Sequence, residues 1–152
     1  MITLIAAVDA ANGIGSSNGH PWYSPTDLAF FYHETMDGVI LVDRPTKAKL
    51  PHTKFPGRKI ILTEPTNIEV SLRDCRRMVV SRVYAIGEAA FLSAMMPYAD
   101  RILLSNSTWP AADGAEKFPN VNSATWVRHN YWLTECDVVP SITEYMRRNQ
   151  FG

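Results

Sequence analysis

The sequence is poor in cysteine, in runs of like charge and in long apolar stretches. Its two cysteines, Cys75 and Cys136, have no CxxC or metal-ligand spacing, which excludes a disulfide framework and favours reduced thiols. Basic and acidic residues balance at 15 each without charged runs, so nucleic acid and anionic membranes are not expected partners. No segment approaches the ~20 apolar residues of a membrane span, and no basic leader region opens the chain. We therefore expect a cytoplasmic protein.

The chain nevertheless has enough apolar residues to build a core. Its length and its 46% hydrophobic content fit one domain over residues 1–152. Apolar segments rich in β-branched residues predict buried strands at 1–8, 39–42, 59–63, 79–86 and 100–106. Helical patterns lie between them, starting at 25 and at 43 and covering 71–78 and 88–96. This alternation predicts an α/β fold whose central, mostly parallel sheet is flanked by helices on both faces.

The last part of the chain has a different pattern. Polar and apolar residues alternate between 125 and 139, which predicts antiparallel strands at an edge of the sheet. Ser141 and Glu144 then form a capping-box pattern after Pro140. This pattern predicts a short C-terminal helix over residues 145–149.

One helix start places an acid among aromatic residues. Ser24 is a suitable N-cap, Pro25 suits the first helical position, and Asp27 completes a capping-box pattern. Phe30 and Phe31 follow Asp27 at spacings of three and four, so all three share a helix face. Asp27 is therefore either a first-turn residue that complements the helix dipole or an acid at the base of a pocket.

Two loops add further candidates. Residues 9–20 are rich in small and turn-forming residues around Ile14, which is typical of a mobile lid. Pro56 and Gly57 form a turn that presents Arg58 immediately before a predicted strand. In isolation, the sequence favours a solvated turn residue over a binding group as the interpretation of Arg58.

Several short motifs occur together in a characteristic order. They are Ile5-Ala6-Ala7, Gly13-Ile14-Gly15, Pro21-Trp22, Asp27-Leu28 with Phe31, Arg44 with Thr46, Pro56-Gly57-Arg58, Ile86-Gly87 and Pro97-Tyr98-Ala99-Asp100. In this order and spacing the chain resembles dihydrofolate reductase from residue 1 to about residue 105. The resemblance implies an oxidoreductase of folate and one-carbon metabolism, which reduces 7,8-dihydrofolate to tetrahydrofolate with NADPH, or alternatively NADH. It also implies a monomer that binds dihydrofolate or a folate analogue, with no metal.

The resemblance implies a role for each matching residue. Asp27 would orient the pterin ring through two charge-assisted hydrogen bonds and help to protonate it, and Trp22 would close the lid. Arg58 would pair with the α-carboxylate of the glutamate tail. The implied substrate-binding residues are Ile5, Ala6, Leu28, Phe31, Leu50, Phe55, Arg58, Ile86 and Ser105. The implied cofactor-binding residues are Ala7, Ile14, Asn18, Arg44, Thr46, Thr63, Gly87 and Glu88.

The sequence departs from the family pattern on the cofactor side. Asp43 and Glu88 stand where glycines usually approach the cofactor phosphates, and Glu64 stands where a serine often contacts the 2′-phosphate. Each acid is expected to weaken phosphate binding by ~1 kcal/mol. Two hypotheses follow: a divergent reductase with rearranged cofactor loops, or a weak or inactive homologue that binds folate or a protein.

Overall fold

The described part of the chain contains seven strands and four helices, which alternate as far as the fifth strand and are followed by two further strands. The computed structural model describes residues 1–15, 25–50, 57–78, 80–111 and 113–148. The strands are β1 (Ile2–Val8), β2 (Val39–Val42), β3 (Lys59–Leu62), β4 (Val83–Ile86), β5 (Arg101–Asn106), β6 (Trp126–Leu133) and β7 (Ser141–Arg147). The helices are α1 (Pro25–Glu34), α2 (Arg44–Lys49), α3 (Ile68–Arg77) and α4 (Ala89–Met95), and a 3-10 turn (Met96–Tyr98) follows α4.

All seven strands form one mixed sheet in the order β3-β2-β4-β1-β5-β7-β6. The first five in this order run parallel, whereas β7 is antiparallel to β5 and β6 is antiparallel to β7. β1 lies in the middle, and every residue of β2 and β4 is buried, as expected for inner strands covered on both faces. The predicted fold class, including its antiparallel C-terminal edge, is confirmed.

The core is divided by the sheet into two large apolar clusters. Leu4 and Leu41 belong to one cluster, which α3 and α4 cover, whereas Ile5 and Ile40 belong to the other, which includes Phe31 of α1. Neighbouring residues of a strand thus point to opposite faces, as the strand geometry requires. The second cluster forms the floor of the candidate site described below.

The predicted C-terminal helix is wrong, because residues 141–147 form β7 instead. This strand is inserted between β5 and β6, where the backbone of Thr143 pairs with Leu104 on one side and Tyr131 on the other. A five-residue helix is only marginally stable alone, whereas a strand between two partners satisfies its backbone hydrogen bonds on both edges. Tertiary pairing therefore overrides the local capping-box signal.

Smaller differences concern element boundaries. α3 begins at Ile68, three residues before the predicted start, because Ile68 packs into the core. β4 begins only at Val83, because the exposed Ser81 and Arg82 precede it. Of the segment 125–139, only β6 is a strand. Within the described ranges, no helix has the length and apolar character needed to cross a membrane.

Candidate active site

A cleft opens where the parallel strands end at their carboxyl edge, which is the edge at which open α/β sheets bind ligands. Its walls come from β1, α1, the loop after β1, and the ends of β4 and β5. The described residues that line it are Ile5, Ala6, Ala7, Ile14, Asp27, Phe30, Phe31, Ile86, Gly87 and Ser105. Nine of these ten residues were predicted as site residues, and the tenth, Phe30, lies on the predicted aromatic face of α1.

Asp27 lies in the first turn of α1 and lines this cleft. Only 1% of its surface is exposed, as is also true of Phe31 one turn later. The predicted helix face is thus present, with Phe30 and Phe31 beside the acid. Among the described residues that line the cleft, Asp27 alone has an ionisable side chain. A carboxyl group in this position can form charge-assisted hydrogen bonds that are shielded from water.

An apolar cluster supports the cleft from below. Ile5, Phe31 and Ile86 belong both to this cluster and to the lining of the cleft. Leu28 and Leu50, which were predicted to contact substrate, pack against the same cluster from its partly exposed rim without lining the cleft. These two side chains therefore extend the apolar surface beyond the cleft and do not form its wall.

Arg58 is anchored to the C-terminal turn of α1. Its Nε donates to Oγ1 of Thr35 at 2.9 Å, its Nη2 donates to the carbonyl oxygen of Tyr32, and its guanidinium carbon lies 5.1 Å from the centre of the Tyr32 ring. The Thr35 hydroxyl donates in turn to the carbonyl oxygen of Phe31 at 2.8 Å. A cation is favourable at this end of a helix, because the last carbonyl groups carry partial negative charge. Arg58 thus lies outside the cleft but is tied to the helix that carries Asp27.

Ile14 is held at the cleft by a network that the sequence did not reveal. The Asp9 carboxylate accepts hydrogen bonds from the backbone of Gly13 at 2.7 Å, Ala11 at 3.0 Å and Ala111 at 2.9 Å. The hydrogen bond from Ala111 contributes most to lowering the pKa of Asp9 below its ordinary value, and the other two bonds add to this effect. Burial alone would raise this pKa. The backbone N–H of Ile14 also donates to the carbonyl oxygen of Glu116 at 2.9 Å. The only sequence signal was the Asp9-to-Gly13 spacing of a turn.

On the predicted cofactor side, each of the three unexpected acids has a local partner. Asp43 is buried and caps α2. Glu64 pairs with Arg44 at 3.2 Å, and Glu88 pairs with Lys49 at 3.5 Å, both at exposed positions. Each of these acids therefore has a hydrogen-bond or ion-pair partner in or next to α2 and is not an isolated repulsive charge.

Of the remaining predicted cofactor residues that the structure describes, some line the cleft and others are buried outside it. Ala7, Ile14 and Gly87 line the cleft together with the substrate residues. Thr46 and Thr63 are buried outside it, and the Thr63 hydroxyl is hydrogen-bonded to Ser71 Oγ at 2.9 Å. Three further predicted site residues lie outside the described part of the chain, namely Trp22, Asn18 and Phe55.

The fold and the cleft define an α/β protein with a cleft at the carboxyl edge of a mostly parallel sheet. The structure is similar to that of dihydrofolate reductase from Enterococcus faecalis complexed with NADP(H) and RAB-propyl. The TM-score is 0.74 over 97% of this chain and 96% of that chain. The sequence identity is 18%, so this likeness concerns the fold.

Sequence comparison defines the family. A family model for dihydrofolate reductase matches residues 1–139. The dihydrofolate reductase of Bacillus subtilis is 30% identical over 136 residues, which cover 83% of this chain and 80% of that protein. The dihydrofolate reductase of Neisseria gonorrhoeae is 27% identical over 137 residues, which cover 82% and 83% respectively. The chain therefore belongs to the dihydrofolate reductase family.

Membership of this family confirms the predicted oxidoreductase function. Dihydrofolate reductases reduce 7,8-dihydrofolate to tetrahydrofolate, and their hydride donor is NADPH. The alternative of an inactive binding module gains no support from the comparisons.

The described residues fit the two ends of NADPH unequally. Near Asp27, the lining residues Ala7, Ile14 and Gly87 are small or apolar, which suits the uncharged nicotinamide end. At the start of α2 and α4, however, backbone N–H groups of the kind that bind phosphates already have a carboxylate partner in Asp43.

Proposed function

We propose that this cleft is the site at which the chain reduces 7,8-dihydrofolate and that Asp27 is its catalytic acid. The observation that carries the proposal is the burial of one carboxyl group, at 1% exposure, in a cleft whose other described walls are apolar, small or hydroxyl-bearing. Such a site binds a flat heterocycle and still offers it one strong hydrogen-bond acceptor.

The reduction needs a hydride at one ring carbon of the pterin and a proton at the adjacent nitrogen. NADPH supplies the hydride when it is bound. Asp27 accepts two hydrogen bonds from the amidine edge of the pterin and thereby fixes the orientation of the ring. The same carboxyl group promotes protonation of the ring nitrogen, in a cleft that the aromatic face of α1 shields from bulk water.

The rest of the substrate extends from the cleft along α1. Phe31, Leu28 and Leu50 provide the apolar surface for the benzoyl group, because all three belong to or pack against the same cluster. Arg58 attracts the α-carboxylate of the glutamate tail, since its guanidinium group is held at the far end of the same helix. Roles for Trp22 and Phe55 stay predictions, as do a monomeric state and a cytoplasmic location.

A direct test is consumption of NADPH by the purified protein on addition of dihydrofolate. With NADPH deuterated at the transferred hydrogen, mass spectrometry of the product should show one deuterium in tetrahydrofolate. Omission of dihydrofolate is the matched control and should leave NADPH intact. Folate binding without any dihydrofolate-dependent consumption would instead support the binding-module alternative.

A further inference from the structure

The Asp43 carboxylate connects the start of α2 to the start of α4. Its Oδ1 accepts a hydrogen bond from the backbone N–H of Thr46 at 3.0 Å, and its Oδ2 accepts one from the backbone N–H of Glu88 at 2.9 Å. Asp43 is only 4% exposed, so both bonds are shielded from water. One buried anion therefore satisfies backbone donors of two different helix starts.

The pairing of two strands brings Asp43 and Glu88 close together. β2 and β4 are adjacent and parallel, with Val42 opposite Ile86, so the turns that follow them lie side by side at the carboxyl edge. Gly87 leaves the space that the carboxylate needs, because a Cβ there would lie 2.9 Å from Asp43 Oδ2 and 2.5 Å from Phe91 Cδ2. A side chain at residue 87 would thus displace the carboxylate or the Phe91 ring.

The basic residues at the two ends of α2 are also paired with acids. Arg44 forms an ion pair with Glu64 at 3.2 Å, and Lys49 forms one with Glu88 at 3.5 Å. Each pair joins α2 to a different loop. In the described part of the chain, two backbone donors and two cations at this edge thus already have carboxylate partners.

Helix starts at the carboxyl edge of parallel strands are where open α/β sheets bind the phosphates of a dinucleotide. We propose that Asp43 is an internal anion that competes with a diphosphate oxygen of the cofactor for the N–H groups of Thr46 and Glu88, and so determines how tightly the cofactor binds. This inference rests on the proposed function, because it takes a dinucleotide as the ligand. Asp43 is on this view a residue that determines cofactor affinity and not a catalytic residue.

The test is equilibrium binding of NADPH to Asp43→Asn, measured by calorimetry. Asparagine is also a good N-cap, so its Oδ1 can keep the bond to Thr46, while its amide nitrogen cannot accept from Glu88. The change removes one negative charge and releases one donor. We expect the dissociation constant for NADPH to fall at least fivefold and the melting temperature of the unliganded variant to fall as well. Inorganic pyrophosphate should stabilise the variant against heat more than it stabilises the wild type.

Glu64→Gln is the matched control, because it removes a carboxylate from the exposed pair with Arg44 and leaves Asp43 in place. Any gain in NADPH affinity from this control should shrink at high salt, whereas the gain from Asp43→Asn should persist, since buried charges are screened less. Equal gains from the two variants at every salt concentration would overturn the inference. So would unchanged or weaker NADPH binding by Asp43→Asn, or by Asp43→Ser if the asparagine variant does not fold.

Failure of the inference and failure of the proposed function give different results. If the wild type and Asp43→Asn bind NADPH equally well, only the role of Asp43 is refuted. If none of the variants binds NADPH while all of them bind folate, both the inference and the proposed reductase function are refuted. Folate binding should be the same in wild type and Asp43→Asn, because Asp43 does not line the cleft.

Discussion

Replacement of Arg101 by methionine should destabilise the fold, because Arg101 holds two acids from different elements. Its Nε donates to Glu144 on β7 at 2.5 Å, and its Nη1 donates to Glu34 at the end of α1 at 3.2 Å. Tyr84 OH lies 2.5 Å from the same Glu34 carboxylate. Burial, together with this contact, raises the pKa of Tyr84 to about 12. The Arg101 side chain therefore joins α1 to the antiparallel edge of the sheet.

The expected loss follows from the burial of the three charged side chains. Their exposed fractions are 16% for Arg101, 19% for Glu34 and 8% for Glu144. Removing one partner of a fully buried ion pair costs about 3 to 5 kcal/mol, because the other charge stays without compensation. Since these side chains keep some contact with water, we expect the free energy of unfolding to fall by about 2 to 3 kcal/mol.

Urea unfolding of wild type and Arg101→Met measures this difference. Arg148→Met is a suitable control, because Arg148 is exposed and its Nε donates only to the carbonyl oxygen of Ser123 among the contacts described. The free energy of unfolding of this control should fall by less than about 1 kcal/mol. If Arg101→Met lowers the free energy of unfolding no more than the control does, the two ion pairs contribute only as much as surface contacts.

Two further predictions concern the loop after β1 and the substrate tail. Asp9→Asn should lower the free energy of unfolding by about 1 kcal/mol at neutral pH. The pKa of Asp9 in the folded state is below its ordinary value of 3.8. The stability difference between wild type and Asp9→Asn should therefore be present above pH 3.8 and disappear as the pH falls through the lower pKa of the folded state. A stability difference that does not change with pH would contradict this prediction. Arg58→Leu should weaken dihydrofolate binding by about 2 to 4 kcal/mol, mainly in KM. Binding of a pterin without the glutamate tail should not change, and equal losses for both ligands would rule out the proposed carboxylate contact.

The central strands and the first two helices follow directly from the sequence. β1, β2 and β5 are short apolar runs that end at polar or turn-forming residues, so local pattern and tertiary position agree. The start of α1 at Pro25 likewise matches a proline that is pre-organised for the first helical position. In these segments each local preference agrees with the position of the element in the fold.

The C-terminal segment could not be predicted in the same way. Ser141 and Glu144 have the spacing of a capping box, yet in β7 the Glu144 carboxylate binds Arg101 and Asn130 of other strands. Those partners lie 43 and 14 residues away in sequence, so a local pattern cannot indicate them. The same reason explains why the sequence indicated Asp43 as a repulsive charge and not as a cap that also binds Glu88.

The candidate site was predictable to the extent that its residues lie on regular elements. Asp27 and Phe31 share a helix face, and Ile5, Ile86 and Ser105 lie on strands whose parallel arrangement brings them together. Arg58 was correctly placed after a turn, but its contacts with the end of α1 depend on the packing of that helix against the sheet.

The pH dependence of hydride transfer in Asp27→Asn tests the central claim most directly. Single-turnover rates with bound NADPH and dihydrofolate should fall about 100-fold at neutral pH, since a positioned acid contributes about 10² to 10⁴ in rate. The deficit should shrink as the pH falls, because solvent protonates the pterin in place of the carboxyl group. Asp37→Asn is the control, since Asp37 is exposed beyond α1 and asparagine tolerates its φ of 63°. Equal rates for Asp27→Asn and Asp37→Asn at every pH would contradict the role of Asp27 in the reaction.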